Sequence, residues 1–364
     1  MTQIKVAVEP QPYDVLIQSG LIEHAGNRLR TLFPERTACF VVTAAPIRRK
    51  WGTKLTSSLT RNGWQVKMIE MPDGERHKRM ATVEALAEKL VALRADRNAV
   101  LIALGGGVVG DVTGFLASVY MRGIDVVQIP TTVVAQVDAS IGGKTGVNLK
   151  AGKNLVGTFH QPRVVLIDPN LLSTLPEREF RSGLYEALKC GVIGKPELFQ
   201  RFEERRHSIL KRDPAELEYL ITESVRLKAD IVSGDERETG LRRVLNFGHT
   251  IGHALEAETK YRRFLHGEAV AWGMIAACDI AAEIGKLPVQ LSRRIQTTVQ
   301  QLGSLPKFDS SADRIMRLLG SDKKTTNGVV HFVLPRAIGE VEVVKDVPKA
   351  AIIKSIQRLR AQSR

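Results

Sequence analysis

Through its first half the chain alternates short, almost wholly apolar runs with amphipathic stretches. TACFVVT (37–43), WQVKMIEM (64–71), AVLIALG (99–105), IDVVQIPT (124–131) and RVVLIDP (163–169) read as buried strands, since short apolar runs rich in β-branched residues suit a sheet covered on both faces. Between them RMATVEALAEKLVALRA (79–95) and GDVTGFLASVYM (110–121) carry helical spacing. That alternation predicts an α/β domain built on a parallel sheet. After LLSTLPEREF the period changes. From Glu177 to about Leu305 the pattern is helical, broken at GDERETG, at the TKYRR loop and around Gly285 and Pro288. The expected division is therefore 1–175, α/β, and 176–364, mainly α-helical. With no Gly/Ser linker at the boundary, two closely packed domains with a cleft between them are expected. GVVHFVLPRAIGEVEVV (328–344) has the look of a small late hairpin.

Composition narrows the class. A chain of 364 residues, 43% hydrophobic and 25% charged, is ordinary for globular domains and excludes disordered and collagen-like classes. Aromatics are scarce at 5%, so the cores must rest on Val, Ile, Leu and Ala. Lys and Arg number 53 against 39 acidic residues, a net charge of +14. The basic residues are scattered, with no aromatic-interleaved stripe, so a nucleic-acid partner is not expected and a small anionic ligand is. Cys39, Cys190 and Cys278 are far apart, odd in number and without CxxC spacing, which excludes a disulfide framework and a thiolate zinc knuckle. MTQIKVAVEP lacks the layout of a signal peptide, and no apolar stretch reaches about 18 residues without a charge. A cytoplasmic, membrane-free protein is expected.

Three segments carry candidate chemistry. LGGGVVGD spaces Gly105, Gly107 and Gly110 as GxGxxG between a strand and a helix, a turn that lets backbone and helix N-terminus approach a phosphate. It follows a later strand than the usual dinucleotide motif, no acidic residue ends the next strand, and Asp111 sits at the helix start, so the site is a modified, Rossmann-like one. PTTVVAQVDASIGGKTGVNLKAGKNLVGTFHQP (130–162) combines Thr131, Thr132, Asp138, Lys144 and Lys153 with a glycine pair and two asparagines. Lysines in so glycine-rich and apolar a setting suit phosphate or carboxylate. LNFGHTIGHALEAETKYRRFLHGEAVAWGM holds three histidines within 18 positions, of eight in the chain. His249 and His253 stand at i,i+4, His266 opens a second helix, and Glu186 in GLYEALKCG offers a carboxylate with Lys189 one turn on. Neutral imidazoles with a carboxylate suit a divalent metal such as zinc, and spacing alone nominates His249 and His253 as the ligand pair.

The ordered series Glu75 and Lys78 in GERHK, GGGVVGD, PTT..AQVD.S.GGKTGVN, GKN, TLP.RE, G..EALK, R...NFGHT.GH..E, HGEAV and DKK resembles the 3-dehydroquinate synthase family over roughly residues 70–340. The resemblance implies an NAD-dependent, metal-dependent sugar phosphate cyclase of the shikimate pathway. Such an enzyme converts 3-deoxy-D-arabino-heptulosonate 7-phosphate to 3-dehydroquinate and phosphate, by transient oxidation, phosphate elimination, re-reduction, ring opening and aldol closure. It implies one metal ion, zinc or cobalt, on Glu186, His249 and His266, which makes His253 a proton-transfer residue rather than a ligand. It places NAD on Asp73, Glu75, Lys78, Gly107, Val108, Gly110, Asp111, Thr131, Thr132, Lys144, Lys153 and Thr174. Substrate contacts fall on Asp138, Lys144, Asn154, Lys189, Lys228, Arg242, Asn246, His253 and the Lys323–Lys324 pair, with Glu238 as a further acid/base candidate. Arg122 matches an arginine supplied across a dimer interface, so a homodimer is implied. Two positions depart from the pattern: Ala44 stands where many relatives carry an adenosine-binding Asp, and Tyr185 replaces a small residue before the metal carboxylate. Two alternatives share the resemblance, a sister sugar phosphate cyclase and a glycerol-type metal-dependent dehydrogenase.

Overall fold

The structure is a computed structural model that describes residues 1–321 and 330–363. The chain forms two compact units, one of Met1–Pro176 with Leu217–Arg237, the other of Glu177–Glu216 with Glu238–Arg364.

The first unit holds strands β1 (Thr2–Val6), β2 (Tyr13–Ile17), β3 (Ala38–Ala44), β4 (Gln65–Met71), β5 (Val100–Gly105), β6 (Asp125–Pro130), β7 (Lys144–Leu149), β8 (Gly152–Phe159) and β9 (Val164–Ile167). Its helices are α1 (Ala25–Leu32), the single turn α2 (Ala45–Ile47), α3 (Thr53–Arg61), α4 (Met80–Ala92) and α5 (Gly107–Val119). Seven strands make one sheet in the order β1-β2-β9-β6-β5-β3-β4, parallel except for the antiparallel edge strand β1. Strand alternation sorts the core. Phe40, Val42, Leu101 and Ala103 face α4 and α5, whereas Cys39, Val41, Val100 and Ile102 face α1 and α3. The chain steps outward from β3 to β4 and then returns to place β5 on the other side of β3. That reversal opens a crevice at the carboxyl ends of β3 and β5, where open α/β sheets take ligands.

Strands β1 and β2 carry no clear signal in the sequence, because each has only five residues: β1 alternates polar residues outward, and β2, though almost wholly buried, is too short to stand out. The glycine-rich stretch after β6 is in large part the antiparallel hairpin β7–β8, packed on α5.

The second unit contains α6 (Glu177–Gly194), α7 (Pro196–Leu210), α9 (His249–Glu258), α10 (His266–Glu283), α11 (Val289–Gln301), α12 (Ala312–Ser321), the hairpin β10 (Phe332–Ala337) and β11 (Glu340–Val344), and α13 (Lys349–Gln362). Helix α8 (Pro214–Gly234) begins in this unit and lies mostly in the first. Helix α10 is apolar on every side and buried along nearly its whole length, so α6, α9, α11 and α13 pack around it. Among the described residues no helix is long and apolar enough to cross a membrane.

Candidate functional site

In the first unit the nominated residues gather at the carboxyl end of the sheet. Gly105 ends β5 and Gly107 and Val108 begin α5, whose N-cap, Gly106, supplies no side-chain cap. The first-turn N–H groups are thus left for an outside acceptor, and the helix dipole favours an anion there. Gly110 lies one turn in and its carbonyl accepts a hydrogen bond from Gln128 Nε2 at 3.2 Å. Thr131 follows β6. It is 2% exposed, and its hydroxyl has no hydrogen-bond partner among the described residues. A buried hydroxyl left unmatched beside an uncapped helix start fits a bound dinucleotide. The Thr132 hydroxyl accepts from Ala135 N–H at 3.2 Å, and the Thr174 hydroxyl from Trp51 Nε1 at 3.1 Å.

A polar network lies next to this turn. The buried ammonium of Lys78 contacts both Asp111 Oδ2 and Asn154 Oδ1. Burial pushes the Asp111 carboxyl above its usual range even against the charge of Lys78. A carboxylate at the helix start would repel a phosphate, but the ammonium of Lys78 faces it. Asn148 Nδ2 donates to Glu75 Oε1 at 2.7 Å, Lys153 Nζ lies 3.8 Å from the same oxygen, and Asn154 N–H donates to Asn148 Oδ1 at 2.9 Å. Asn154 holds φ +53°, a left-handed conformation that asparagine tolerates better than most residues. Lys228, 5% exposed, contacts Asp138 through both its carboxylate and its backbone oxygen. Asp73 and Lys144 are exposed, as is Arg122. Arg122 follows Met121 in a turn where both residues take positive φ, +69° and +48°.

In the second unit the ligand atoms of Glu186, His249 and His266 all lie within 4.8 Å of one another. Glu186 is fully buried on α6; its Oε1 lies 3.9 Å from His249 Nε2 and 3.5 Å from His266 Nε2. Lys189 Nζ is 2.6 Å from Oε2, yet neither oxygen receives a well-directed hydrogen bond among the described residues. Burial would raise this carboxyl, but Lys189 and His266 outweigh it and hold it well below the carboxylate range. His249 Nδ1 sits 3.1 Å from the carbonyl of Phe247, and His266 Nδ1 3.3 Å from Glu256 Oε2. Each ring thereby has an acceptor on one nitrogen and turns the other toward Glu186. Burial opposes a charged His266, but Glu186 and Glu256 prevail and push its pKa up to about 10. The site attracts positive charge, and its donor set of two imidazoles and a carboxylate fits one divalent cation.

Spacing alone pairs His249 with His253; the structure corrects this. No ligand-distance group among the described residues contains both, although their ring centroids are 5.1 Å apart, because the rings meet edge to face at 88°. His253 instead groups with Glu256 and His266. Glu238 Oε1 accepts from Asn246 Nδ2 at 2.6 Å, with Glu238 at φ +58°. Arg242 is buried. Lys323 and Lys324 lie outside the described residues.

Close helix approach sets this geometry. A Cβ on Gly267 would fall 1.8 Å from the backbone oxygen of Ser182, and one on Gly273 would fall 1.7 Å from that of Gly248. Glycine at both positions lets α10 lie against α6 and the start of α9. Glu268 fixes the start of α10: it accepts from Leu265 N–H at 2.8 Å and is bridged by Arg178 at 2.6 and 2.8 Å. Reading the sequence missed Glu256 and Asn148 as polar partners. Glu256 was legible, since it follows His253 by three residues and so shares the histidine face of α9. Asn148 had no signal of its own, because the hairpin that turns it to Glu75 was not foreseen.

Residues 68–182 match the family description "3-dehydroquinate synthase N-terminal", and residues 183–325 match "3-dehydroquinate synthase C-terminal". The 3-dehydroquinate synthase of Koribacter versatilis (strain Ellin345) is 56% identical over 360 residues, covering 99% of this chain and 98% of that one. The solved 2-epi-5-epi-valiolone synthase from Streptomyces hygroscopicus subsp. jinggangensis 5008, with NAD+ and Zn2+ bound, superposes with a TM-score of 0.89 at 31% identity, covering 98% of this chain and 99% of that chain. A 2-deoxy-scyllo-inosose synthase complexed with carbaglucose-6-phosphate, NAD+ and Co2+ superposes with a TM-score of 0.85 at 25% identity, with the same coverage of both chains.

Proposed function

Because this chain belongs to the 3-dehydroquinate synthase family, we propose that it converts 3-deoxy-D-arabino-heptulosonate 7-phosphate to 3-dehydroquinate and phosphate, using NAD and one divalent cation, zinc or cobalt. The observation that carries the reading is the buried, undirected carboxylate of Glu186 facing two oriented imidazoles, in a chain that matches both family segments. When bound, NAD supplies a reversible hydride acceptor and the cation acidifies and polarises the alcohol it faces. Glu186, His249 and His266 hold the cation. The uncapped start of α5, Thr131, Thr132 and Thr174, and the network of Glu75, Lys78, Asp111 and Lys153 hold the dinucleotide, with exposed Asp73 and Lys144 completing its contacts.

The substrate is a dianionic phosphate that also carries a carboxylate. Lys189, Lys228, Arg242, Asn246 and Asn154 supply the cations and amide donors that such a molecule needs, and Asp138 holds Lys228 in place. His253 moves protons at the substrate hydroxyls, and Glu238 is a further acid/base group. The protein acts as a cytoplasmic homodimer in which Arg122 serves the neighbouring subunit.

The test is phosphate release from the heptulosonate phosphate at fixed total NAD. Stoichiometric phosphate with no net NADH is expected. Net NADH accumulation without phosphate would indicate a dehydrogenase instead. Release only from a different heptose or hexose phosphate would indicate a sister cyclase.

A further inference from the structure

Glu256 is 2% exposed, and neither the composition of its helix nor the metal triad accounts for a buried carboxylate there. It lies on α9 seven residues after His249 and three after His253, so all three share one face of the helix. Its Oε2 is 3.3 Å from His266 Nδ1, while His266 Nε2 is 3.5 Å from Glu186 Oε1. One imidazole thus stands between two buried carboxylates, the first on its outer nitrogen and the second on its inner one.

We propose that Glu256 is a positioning residue: its carboxylate accepts the Nδ1–H of His266, fixes the tautomer whose Nε2 lone pair faces Glu186, and makes that nitrogen a stronger ligand. The proposal rests on Glu186, His249 and His266 as the cation ligands. A carboxylate behind a ligating imidazole locks the ring against rotation and raises its basicity, and losing such a partner typically weakens metal binding about 10–100-fold. The geometry also contains a rival arrangement, because His253, Glu256 and His266 have ligand atoms within 4.8 Å of one another. In that arrangement Glu256 would be a ligand itself. Glu186 is the better candidate for that role, since its Oε1 lies within 3.9 Å of the Nε2 atoms of both His249 and His266, whereas Glu256 faces His266 from Nδ1.

The experiment measures Co2+ affinity of the metal-stripped full-length protein against a chromophoric chelator, together with the visible spectrum of the Co2+ form. Glu256→Gln is expected to bind one Co2+ about 10–100-fold more weakly, with the band positions of the parent retained. The same substitution placed on His266→Ala is expected to add no further loss, because the residue acts through that ring. Unchanged affinity in Glu256→Gln, or an undiminished further loss on the His266→Ala background, would overturn the proposal. A spectrum altered as strongly as by Glu186→Gln would make Glu256 a ligand and overturn it equally. Should Glu256→Gln not fold, Glu256→Asp, which keeps the charge but withdraws the acceptor by one methylene, carries the same expectations. Retention of full Co2+ affinity in His249→Ala and His266→Ala would instead refute the ligand assignment beneath it.

Discussion

Lys228 reaches Asp138 with its ammonium nitrogen 2.5 Å from Oδ1, and the lysine is the more enclosed partner, with 7% of its side chain exposed against 28% for the aspartate. The pair is therefore unequal. Asp138→Ala takes the carboxylate away from a buried cation that still faces the backbone oxygen of residue 138, and should destabilise the protein by about 2–4 kcal/mol. Lys228→Met leaves a carboxylate that water can reach, and should cost about 1–2 kcal/mol while removing turnover. Urea midpoints of the two variants check the order. Equal losses would show that the enclosure of the lysine has no energetic weight.

Chelation should remove both the cation and activity. His266→Ala should fail to hold stoichiometric metal. His253→Ala should keep its metal while kcat falls by at least about 100-fold, as expected on losing a general acid/base. Metal analysis of purified His253→Ala decides the matter, since loss of the ion there would return the residue to the ligand set.

Gly273→Ala should be destabilising, against the usual gain of about 1 kcal/mol from alanine in a helix. The new Cβ would meet the Gly248 oxygen at 1.7 Å, backbone that leads directly into His249. We expect a loss of about 3 kcal/mol and weakened metal binding. A thermal midpoint at or above that of the parent would mean that α9 and α10 can separate at little cost.

Burial, only partly offset by Arg30, pushes the Cys39 thiol from 9.0 up to about 12. The folded pKa lies above the unfolded one, so the neutral thiol favours the fold. Its contribution is complete below about pH 9 and is lost as pH rises toward 12, because the unfolded chain then releases a proton that the folded one keeps. Between about pH 8 and about pH 10 the parent should lose about 1.3 kcal/mol more stability than Cys39→Ala does. Chemical denaturation of both proteins at the two pH values measures this, and parallel losses would reject the assignment.

Arg122 is exposed and sits in a turn where both it and Met121 take positive φ, +69° and +48°. Arg122→Ala and His253→Ala should each be inactive, and mixing them under subunit exchange should restore activity. If Arg122 acts in trans, one site of each mixed dimer carries both lesions and the other neither. A mixture that stays inactive after proven exchange would place the arginine in its own subunit's site.

The amino-acid sequence by itself determined the strands β3 to β6 and β9, the helices α4 and α5 and the helical character of the C-terminal half. Local period is enough for these, because the inner strands are buried on both faces and the helices on one stripe, and their residues record that directly. The 64–71 run, read as buried, is instead the edge strand β4, with one face half exposed. It also determined the chemical inventory: the glycine turn, the anion-seeking lysines, the histidine pair on α9 and the third histidine opening α10. Tertiary structure alone decided which of these meet. The i,i+4 spacing of His249 and His253 is a property of one helix, whereas the approach of His266 and Glu186 depends on α10 lying against α6, which Gly267 permits by carrying no side chain. Likewise Lys78, Asp111 and Asn154 are dozens of residues apart; Lys78 meets Asp111 where α4 packs on α5, and Asn154 joins them because the β7–β8 hairpin folds back on α5. Glu256 shows the division most plainly: its place on the histidine face comes from helical period, but its contact with His266 Nδ1 exists only once two helices are packed together.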